Sequence, residues 1–266
     1  MSLICKDVVS IIAEYYLDDL PYKLLDWINS ENLNYNGLTL NNKAIQLLEN
    51  NLDKINWANL SLNTNDKAIE LLEKNPNNID WHILSLNISD KALNLLEKNQ
   101  DKISWSDFSF NTNDKALELL EKNPDKINLN WLSLNTNDKA IQLLYDNYQN
   151  SIFWTNLSRN SNNKALQLLK KNQDKINWDL LSRNFNDKAL ELLDKNQHKI
   201  YWNYLSENTN NKALKLLEKN KDKIDWDNLS ENTNNKALEL LEKNKDKINW
   251  ISLFGNKSIF TINDKI

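Results

Sequence analysis

The chain of 266 residues has little cysteine, glycine or proline. Cys5 is its single cysteine, which excludes a disulfide framework and a cysteine-based metal site. Gly37 and Gly255 are its two glycines, so a glycine-rich loop that cradles a phosphate is excluded as well. No apolar run of about 18 residues and no signal peptide is present. We therefore expect a protein that is neither secreted nor inserted in a membrane.

The chain also lacks a strong charge of either sign. It has 33 basic and 37 acidic residues, a net charge of −4, which gives no general attraction to nucleic acid or to anionic membranes. Residues 151–200 carry nine basic and five acidic residues, which could suggest RNA lying along a groove. Arginine occurs only twice, however, which argues against bidentate recognition of bases or phosphates. We therefore do not expect a nucleic-acid partner.

A tandem repeat of 24 residues dominates the sequence. Each repeat contains an alanine, a Leu-Leu pair, an asparagine, an isoleucine and then a tryptophan or its replacement. The alanines that define the register are Ala44, Ala68, Ala92, Ala116, Ala140, Ala165, Ala189, Ala213 and Ala237. The single step of 25 residues separates Ala140 from Ala165.

The alanine half of each repeat predicts an amphipathic helix. Ala116, Leu119 and Leu120 fall at positions i, i+3 and i+4 and form one apolar stripe. Asn113, or Thr112 before it, is suited to cap the start of this helix. Asn123 is expected to close it in the left-handed conformation.

The tryptophan half predicts a second helix of about two turns. Trp178 and Leu181 share one face, and Asn177 is its expected cap. Neither helix would be stable alone in water at this length, so stability must come from stacking, with the tryptophans in the core. The sequence therefore predicts an all-α fold, an α/α solenoid of about nine short helix-pair repeats with capping ends. The predicted divisions are an N-terminal helical cap at 1–34, the repeats at 35–250 and a C-terminal cap at 251–266.

Two further features concern the packing between repeats. An asparagine six residues after each tryptophan position, such as Asn63, is expected to form a ladder of side-chain to backbone hydrogen bonds rather than to have a chemical role. At the end of the array, four apolar side chains are expected to fold over the final core face. These are Phe254, Ile259, Phe260 and Ile262.

The repeat motif Leu-Ser-x-Asn-x-x-x-x-Ala-(Ile/Leu)-x-Leu-Leu-x-x-Asn-x-x-x-Ile-x-Trp is complete from Leu84 to Trp105 and from Leu181 to Trp202. It resembles the motif of tandem-repeat proteins that giant DNA viruses of amoebae and algae encode. The segment from Phe254 to Phe260 is similar to the Asn-Pro-x-Ile-Phe-like end of such arrays, with Lys257 in place of the proline. The resemblance implies a viral protein in the host cytoplasm or the virion, and it supplies no catalytic residues.

Residues 6–17 (KDVVSIIAEYYL) look like the opening helix of an F-box, which would imply docking to a ubiquitin-ligase adaptor. The leading Leu-Pro of that motif is missing, and an amphipathic N-terminal cap is the alternative interpretation.

Function is expected at positions that have no packing role. The fifth residue after each tryptophan position, here called the variable position, changes in blocks from apolar to basic to acidic along the chain. Its residues are Leu62, Leu86, Phe110, Leu134, Arg159, Arg183, Glu207 and Glu231. A contiguous apolar stripe there would bind a protein partner or a second copy. The alternative is a half-buried position whose charged versions reach out to solvent.

The repeat pattern breaks close to the change from apolar to basic residues. Leu129 takes the tryptophan position, and Trp131 is displaced by two residues and expected to point outward. The next repeat carries a one-residue insertion near Tyr145, which replaces the usual acid. We expect the insertion to lie in a loop. Aromatic residues at this place are candidate interface anchors, and harmless drift of a tolerant loop is the alternative.

The acidic residues lie on predicted exposed helix positions at the repeat period, a pattern typical of solubility rather than of a catalytic carboxylate pair. His82 and His198 have no nucleophile or base nearby in the pattern. The sequence therefore predicts a non-enzymatic repeat scaffold, without cofactor or metal, that binds a protein partner of unknown identity through one long face. The alternative is a structural or virion component that forms a homo-oligomer through the apolar stripe.

Overall fold

The structure is a computed structural model that describes residues 33–260. It contains two compact units, Met1–Lys126 and Ile127–Ile266, here called unit 1 and unit 2. Helices are the only regular secondary structure in the described part of either unit. The predicted fold class, an all-α solenoid of repeated helix pairs, is confirmed.

Every repeat has a first helix, which opens at the tryptophan position, and a second helix, which carries the alanine. First helices have odd numbers and second helices even numbers. The helices of unit 1 are α1 Tyr35–Leu38, α2 Ile45–Glu49, α3 Trp57–Leu62, α4 Asp66–Lys74, α5 Trp81–Leu86, α6 Asp90–Lys98, α7 Trp105–Phe108 and α8 Asp114–Lys122.

Unit 2 continues the same alternation. Its helices are α9 Leu129–Leu134, α10 Asp138–Asn147, α11 Trp154–Arg159, α12 Asn163–Lys171, α13 Trp178–Ser182, α14 Asp187–Lys195, α15 Trp202–Glu207, α16 Asn211–Lys219, α17 Trp226–Glu231, α18 Asn235–Glu242 and α19 Trp250–Gly255. A single 3₁₀ turn, such as Gln173–Lys175, joins a second helix to the first helix that follows.

The helices of each unit form two layers. In unit 1 the first helices α3, α5 and α7 contact one another in series, and the second helices α4, α6 and α8 do the same. Contacts between α3 and α4 join the two layers within a repeat. Unit 2 repeats the arrangement. A helix in the interior of either unit therefore packs between two neighbours of its own layer, which supplies the stability that it would lack alone.

The second helices bury the stripe that the sequence predicts. Ala116, Leu119 and Leu120 are buried, together with Leu117. Asn113 caps the helix, since its Oδ1 accepts a hydrogen bond of 2.8 Å from the backbone N–H of Lys115.

The predicted left-handed closure of this helix is wrong. Asn123 has φ −129° and ψ 60°, and no residue within 33–260, glycine included, has a positive φ. Its Nδ2 instead donates a hydrogen bond of 2.9 Å to the carbonyl oxygen of Leu119. The side chain thus satisfies a carbonyl at the helix end, and the chain passes directly into the 3₁₀ turn Pro124–Lys126.

The tryptophans lie less deep than predicted. Trp57, Trp178 and Trp226 are half-buried, and Trp250 is exposed. Each of them is the first residue of its helix, next to the polar cap residue, so part of the indole stays in contact with solvent. The fully buried positions of the first helices are instead the leucine and serine three and four residues further on, such as Leu229 and Ser230.

The predicted asparagine ladder is present in both units. In unit 1, Asn87 Nδ2 donates to the carbonyl oxygens of Ser61 (2.9 Å) and Asn63 (3.0 Å) in the preceding repeat. Its Oδ1 accepts from the backbone N–H of Ser89 at 3.0 Å. The amide is buried and its bonds join two repeats, as the structural interpretation predicts.

A serine ladder runs beside it, and the sequence reasoning gave those serines no role. Ser206 Oγ donates to the carbonyl oxygen of Trp202 at 2.8 Å and accepts from the backbone N–H of Asp225 in the next repeat at 3.1 Å. Ser61 makes the equivalent bonds in unit 1, to Trp57 and Asp80. A small hydroxyl fits here because the position is completely buried.

At the end of the described chain, the prediction that Phe254 and Phe260 cover the final core face is wrong. Their side chains are 73% and 76% exposed, while Ile259 is half-buried. Ile262 and the F-box-like residues 6–17 lie outside the described residues. The boundaries of the two predicted caps therefore stay predictions.

Candidate protein-binding surfaces

The variable position is the last residue of most first helices and lies one or two residues beyond the end of α13 and α7, always between the two ladders. Leu62, for example, stands between the buried Ser61 and the buried Asn63. Ser61 Oγ accepts a hydrogen bond from the backbone N–H of Asp80 in the next repeat, and Asn63 Nδ2 donates one to the carbonyl oxygen of Thr39 in the preceding repeat. The backbone of Leu62 is therefore fixed from both sides. The position is therefore a regularly repeated attachment point for surface side chains.

In unit 1 this position carries an apolar row formed by Leu62, Leu86 and Phe110. Leu62 is 46% exposed and Phe110 is 39% exposed, while Leu86 is half-buried. Two residues further along the repeat, Leu40 and Ile88 are exposed as well. The row is thus open at Leu62 and Phe110 and partly covered at Leu86, and whether it binds a partner stays a prediction.

The break in the pattern lies in unit 2. Trp131 is exposed on α9, as predicted, whereas Leu129 and Leu134 of the same helix are half-buried. Tyr145 is exposed in the last turn of α10. Trp131 and Tyr145 thus belong to a first and a second helix, in different layers.

The one-residue insertion lies in a helix rather than in a loop, so that prediction is wrong. Helix α10 has ten residues, where α14 has nine, and Tyr148 takes the closing position. The ladder continues beyond it, because Asn160 Nδ2 still donates to the carbonyl oxygens of Ser133 (3.0 Å) and Asn135 (2.9 Å). The extra residue therefore lengthens α10, and the hydrogen bonds between Asn160 and the preceding repeat are kept.

The two arginines lie exposed on consecutive first-helix ends of unit 2, and Arg183 has an aromatic partner. Its guanidinium carbon lies 3.6 Å from the centre of the Tyr204 ring in the next repeat. Tyr201 stacks on Tyr204, with ring centres 6.2 Å apart. The sequence reasoning missed both tyrosines. One signal was available, because Tyr201 stands where other first helices have a capping asparagine or aspartate.

Some charges on the second helices are paired within the chain. Ion pairs join neighbouring repeats, including Lys115 with Asp90 at 2.9 Å and Lys212 with Asp187 at 3.2 Å. Hydrogen bonds from Asn210 and Lys212 lower the pKa of Asp187 below its ordinary value. These pairs add contacts between repeats on the solvent-exposed side of the second helices.

Metal-ligating and reactive side chains of the described residues lie apart from these surfaces or singly. No group of three or more His, Cys, Asp or Glu residues there could hold a metal ion. His82 lies on the surface, with its Nδ1 3.3 Å from Asp107 Oδ2. Asp179 Oδ1 is the one buried side-chain oxygen or nitrogen in residues 33–260 that lacks a hydrogen-bond partner. It borders an open cleft of about 560 Å³ that Trp178, Lys199 and Tyr201 also line.

Comparison with known proteins gives no relative. No family profile, curated protein or solved structure matches the chain. Within the described part of the chain, no helix is both long and apolar enough to cross a membrane.

Proposed function

We propose that this protein is a non-enzymatic repeat scaffold that binds a partner protein through the apolar row of unit 1. One observation carries the proposal, namely that Leu62 and Phe110 are exposed at a position where the same fold accepts arginine and glutamate in unit 2. Packing therefore does not require an apolar residue there. An exposed apolar cluster that the fold does not need is typical of a binding surface.

The surface suits an apolar partner segment better than a charged one. Leu62, Leu86 and Phe110 recur once per repeat, and exposed Leu40 and Ile88 add to the row. First helices that pack side by side lie about 8–10 Å apart, so the row presents anchors at regular intervals. An amphipathic helix of a partner could bury its apolar side against such a row.

The test is a double substitution in which Leu62 and Phe110 both become aspartate. Helicity should be unchanged because both side chains are partly in solvent, and a partner captured by the unsubstituted protein should be lost. The matched control changes Glu207 and Glu231 to aspartate, at the same repeat position in unit 2, and should retain the partner. Retained binding in the Leu62 and Phe110 variant, or no specific partner of the unsubstituted protein, would contradict the proposal.

The same experiment distinguishes partner binding from the alternative function, a structural component that self-associates through the apolar row. A homo-oligomer that dissociates in the Leu62→Asp, Phe110→Asp variant, with no other protein bound, would support a self-associating component instead. Light scattering across a range of protein concentrations measures this directly.

For the place of action we propose the infected cell, either the host cytoplasm or the virion. The support is the resemblance of the repeat motif to that of giant-virus proteins. Detection of the protein in purified virions would favour a packaged component, and detection only in the cytosol of infected cells would favour a scaffold there. A gene located in a cellular genome without viral neighbours would contradict the proposal.

A further inference from the structure

Four charged side chains form a row along unit 2 at the variable position. Four consecutive first helices, α11, α13, α15 and α17, contact one another in series. Arg159, Glu207 and Glu231 are the last residues of α11, α15 and α17, and Arg183 directly follows α13. All four side chains are exposed. The order along this charged row is two positive charges followed by two negative charges, and the arginines are the only two in the chain.

None of these four side chains makes an ion pair within the described part of the chain, whereas lysines and acids on neighbouring second helices do, as in Lys212 with Asp187. Two of the four have other contacts. Arg183 lies against the Tyr204 ring, and Glu231 accepts a hydrogen bond from Ser252 Oγ at 3.0 Å. Each like-charged pair occupies adjacent repeats, an arrangement that does not stabilise the isolated chain.

The row reads plus, plus, minus, minus, so when it is placed against the same row running in the opposite direction, every positive charge faces a negative one. If two copies lie antiparallel with their charged rows facing, Arg159 of one copy meets Glu231 of the other, and Arg183 meets Glu207. A two-fold axis midway between Arg183 and Glu207 makes all four pairs at once, as an isologous interface requires. We propose that the charged row of unit 2 binds a second copy of this chain and forms an antiparallel homodimer.

Two tyrosines lie beside Arg183, one of the two residues that flank this axis, and they fit the centre of an interface. Tyr204 lies under Arg183, and the exposed Tyr201 stacks on it. Tyrosine and arginine are the residue types most enriched at interface centres. Tyr201 also makes no capping hydrogen bond at the start of its helix, so the sequence gives up a local stabilisation at this position.

The row has a suitable length for a reversible dimer. Three helix-to-helix steps of about 10 Å make a row of about 30 Å. An interface of about 800 Å² per partner is on the order of 30 Å across. In such an interface the exposed ion pairs determine the register and orientation more than the affinity. The dimer should therefore weaken with salt, since the Debye length falls from about 10 Å at 0.1 M to about 3 Å at 1 M.

Two double variants of identical composition and net charge provide the test. Arg183→Glu with Glu207→Arg gives the order plus, minus, plus, minus, which is still complementary to its reverse. Arg183→Glu with Glu231→Arg gives plus, minus, minus, plus, which places like charges opposite each other at every pair. Both variants lose the contact between Arg183 and Tyr204, so that contact cannot explain a difference between them.

Sedimentation equilibrium measures the outcome, with circular dichroism to verify that helicity is retained. The unsubstituted protein and the Glu207→Arg double variant should form dimers, and the Glu231→Arg double variant should have a dissociation constant at least about tenfold higher. An unsubstituted protein that stays monomeric at millimolar concentration would overturn the proposal. Equal effects of the two variants would overturn it as well. So would a dimer that the Leu62→Asp, Phe110→Asp variant abolishes, since its contact would then be the apolar row.

Discussion

Replacement of Asn232 by alanine should lower the free energy of unfolding by about 3 kcal/mol. Asn232 is 3% exposed and makes three hydrogen bonds. Its Nδ2 donates to the carbonyl oxygens of Ser206 (2.9 Å) and Asn208 (3.1 Å), and its Oδ1 accepts from the backbone N–H of Asn234 (3.0 Å). Alanine removes all three bonds and cannot replace any of them.

The magnitude follows from the net value of a protein hydrogen bond. Each bond contributes about 0.5–1.5 kcal/mol net of the competing bonds to water, so three give roughly 1.5–4.5 kcal/mol. The carbonyl oxygens of Ser206 and Asn208 belong to the preceding repeat, so the loss weakens the stacking of two repeats rather than one helix alone. We therefore expect the value to lie in the middle or upper part of this range.

Urea denaturation followed by circular dichroism measures the effect, with Asn235→Ala as the matched control. Asn235 is exposed in the same segment, so its replacement should change the free energy of unfolding by less than about 0.5 kcal/mol. Loss of cooperativity in the Asn232 variant would also agree with weakened stacking. A destabilisation below about 1 kcal/mol, or one equal to that of the control, would refute the role assigned to the ladder.

Two further predictions concern local stability and pH. Phe153→Asn should raise the free energy of unfolding by about 1 kcal/mol, because Phe153 is the capping residue before α11 and makes no side-chain capping bond, whereas asparagine supplies one. Phe153→Ala, which removes the ring without adding a cap, separates the two effects in the same urea assay. The pKa of Glu70 is lowered by its hydrogen bond from Lys91, so this contact contributes stability above the unfolded-state pKa and loses it as pH falls through the folded-state pKa. Lys91→Met should therefore raise the pKa of Glu70 in an NMR titration, and an unchanged value would contradict the pairing.

The fold was predictable from the sequence because the repeat places the same side chains at the same geometric positions many times. The stripe of Ala116, Leu119 and Leu120 indicates a helix face, and Asn113 indicates where that helix begins. The recurrence of Asn87-type residues at a fixed offset indicated a bond between repeats, and the structure shows those bonds. In each case the local sequence pattern and the 24-residue period predicted the same structure.

Two predictions were wrong because two local conformations satisfy the same structural requirement equally well. Asn123 could satisfy the end of its helix by a left-handed backbone or by a side-chain bond to the carbonyl oxygen of Leu119, and the 3₁₀ turn that follows selects the second. The extra residue before Tyr148 could enter a loop or a helix, and it enters α10 because the ladder around Asn160 holds the next repeat in place. The long-range geometry that decides such cases is not encoded in any single repeat.

The two ladders also explain why the variable position can differ so widely between the units. Ser61 and Asn63 fix the backbone on either side of Leu62, as Ser206 and Asn208 do around Glu207. The polar bonds and the buried leucines are present in every case, so stacking does not require one particular side chain between them. Because packing does not fix the side chain at the variable position, that side chain can differ between repeats and serve binding. The apolar row of unit 1 and the charged row of unit 2 are therefore two different surfaces formed at the same repeat position.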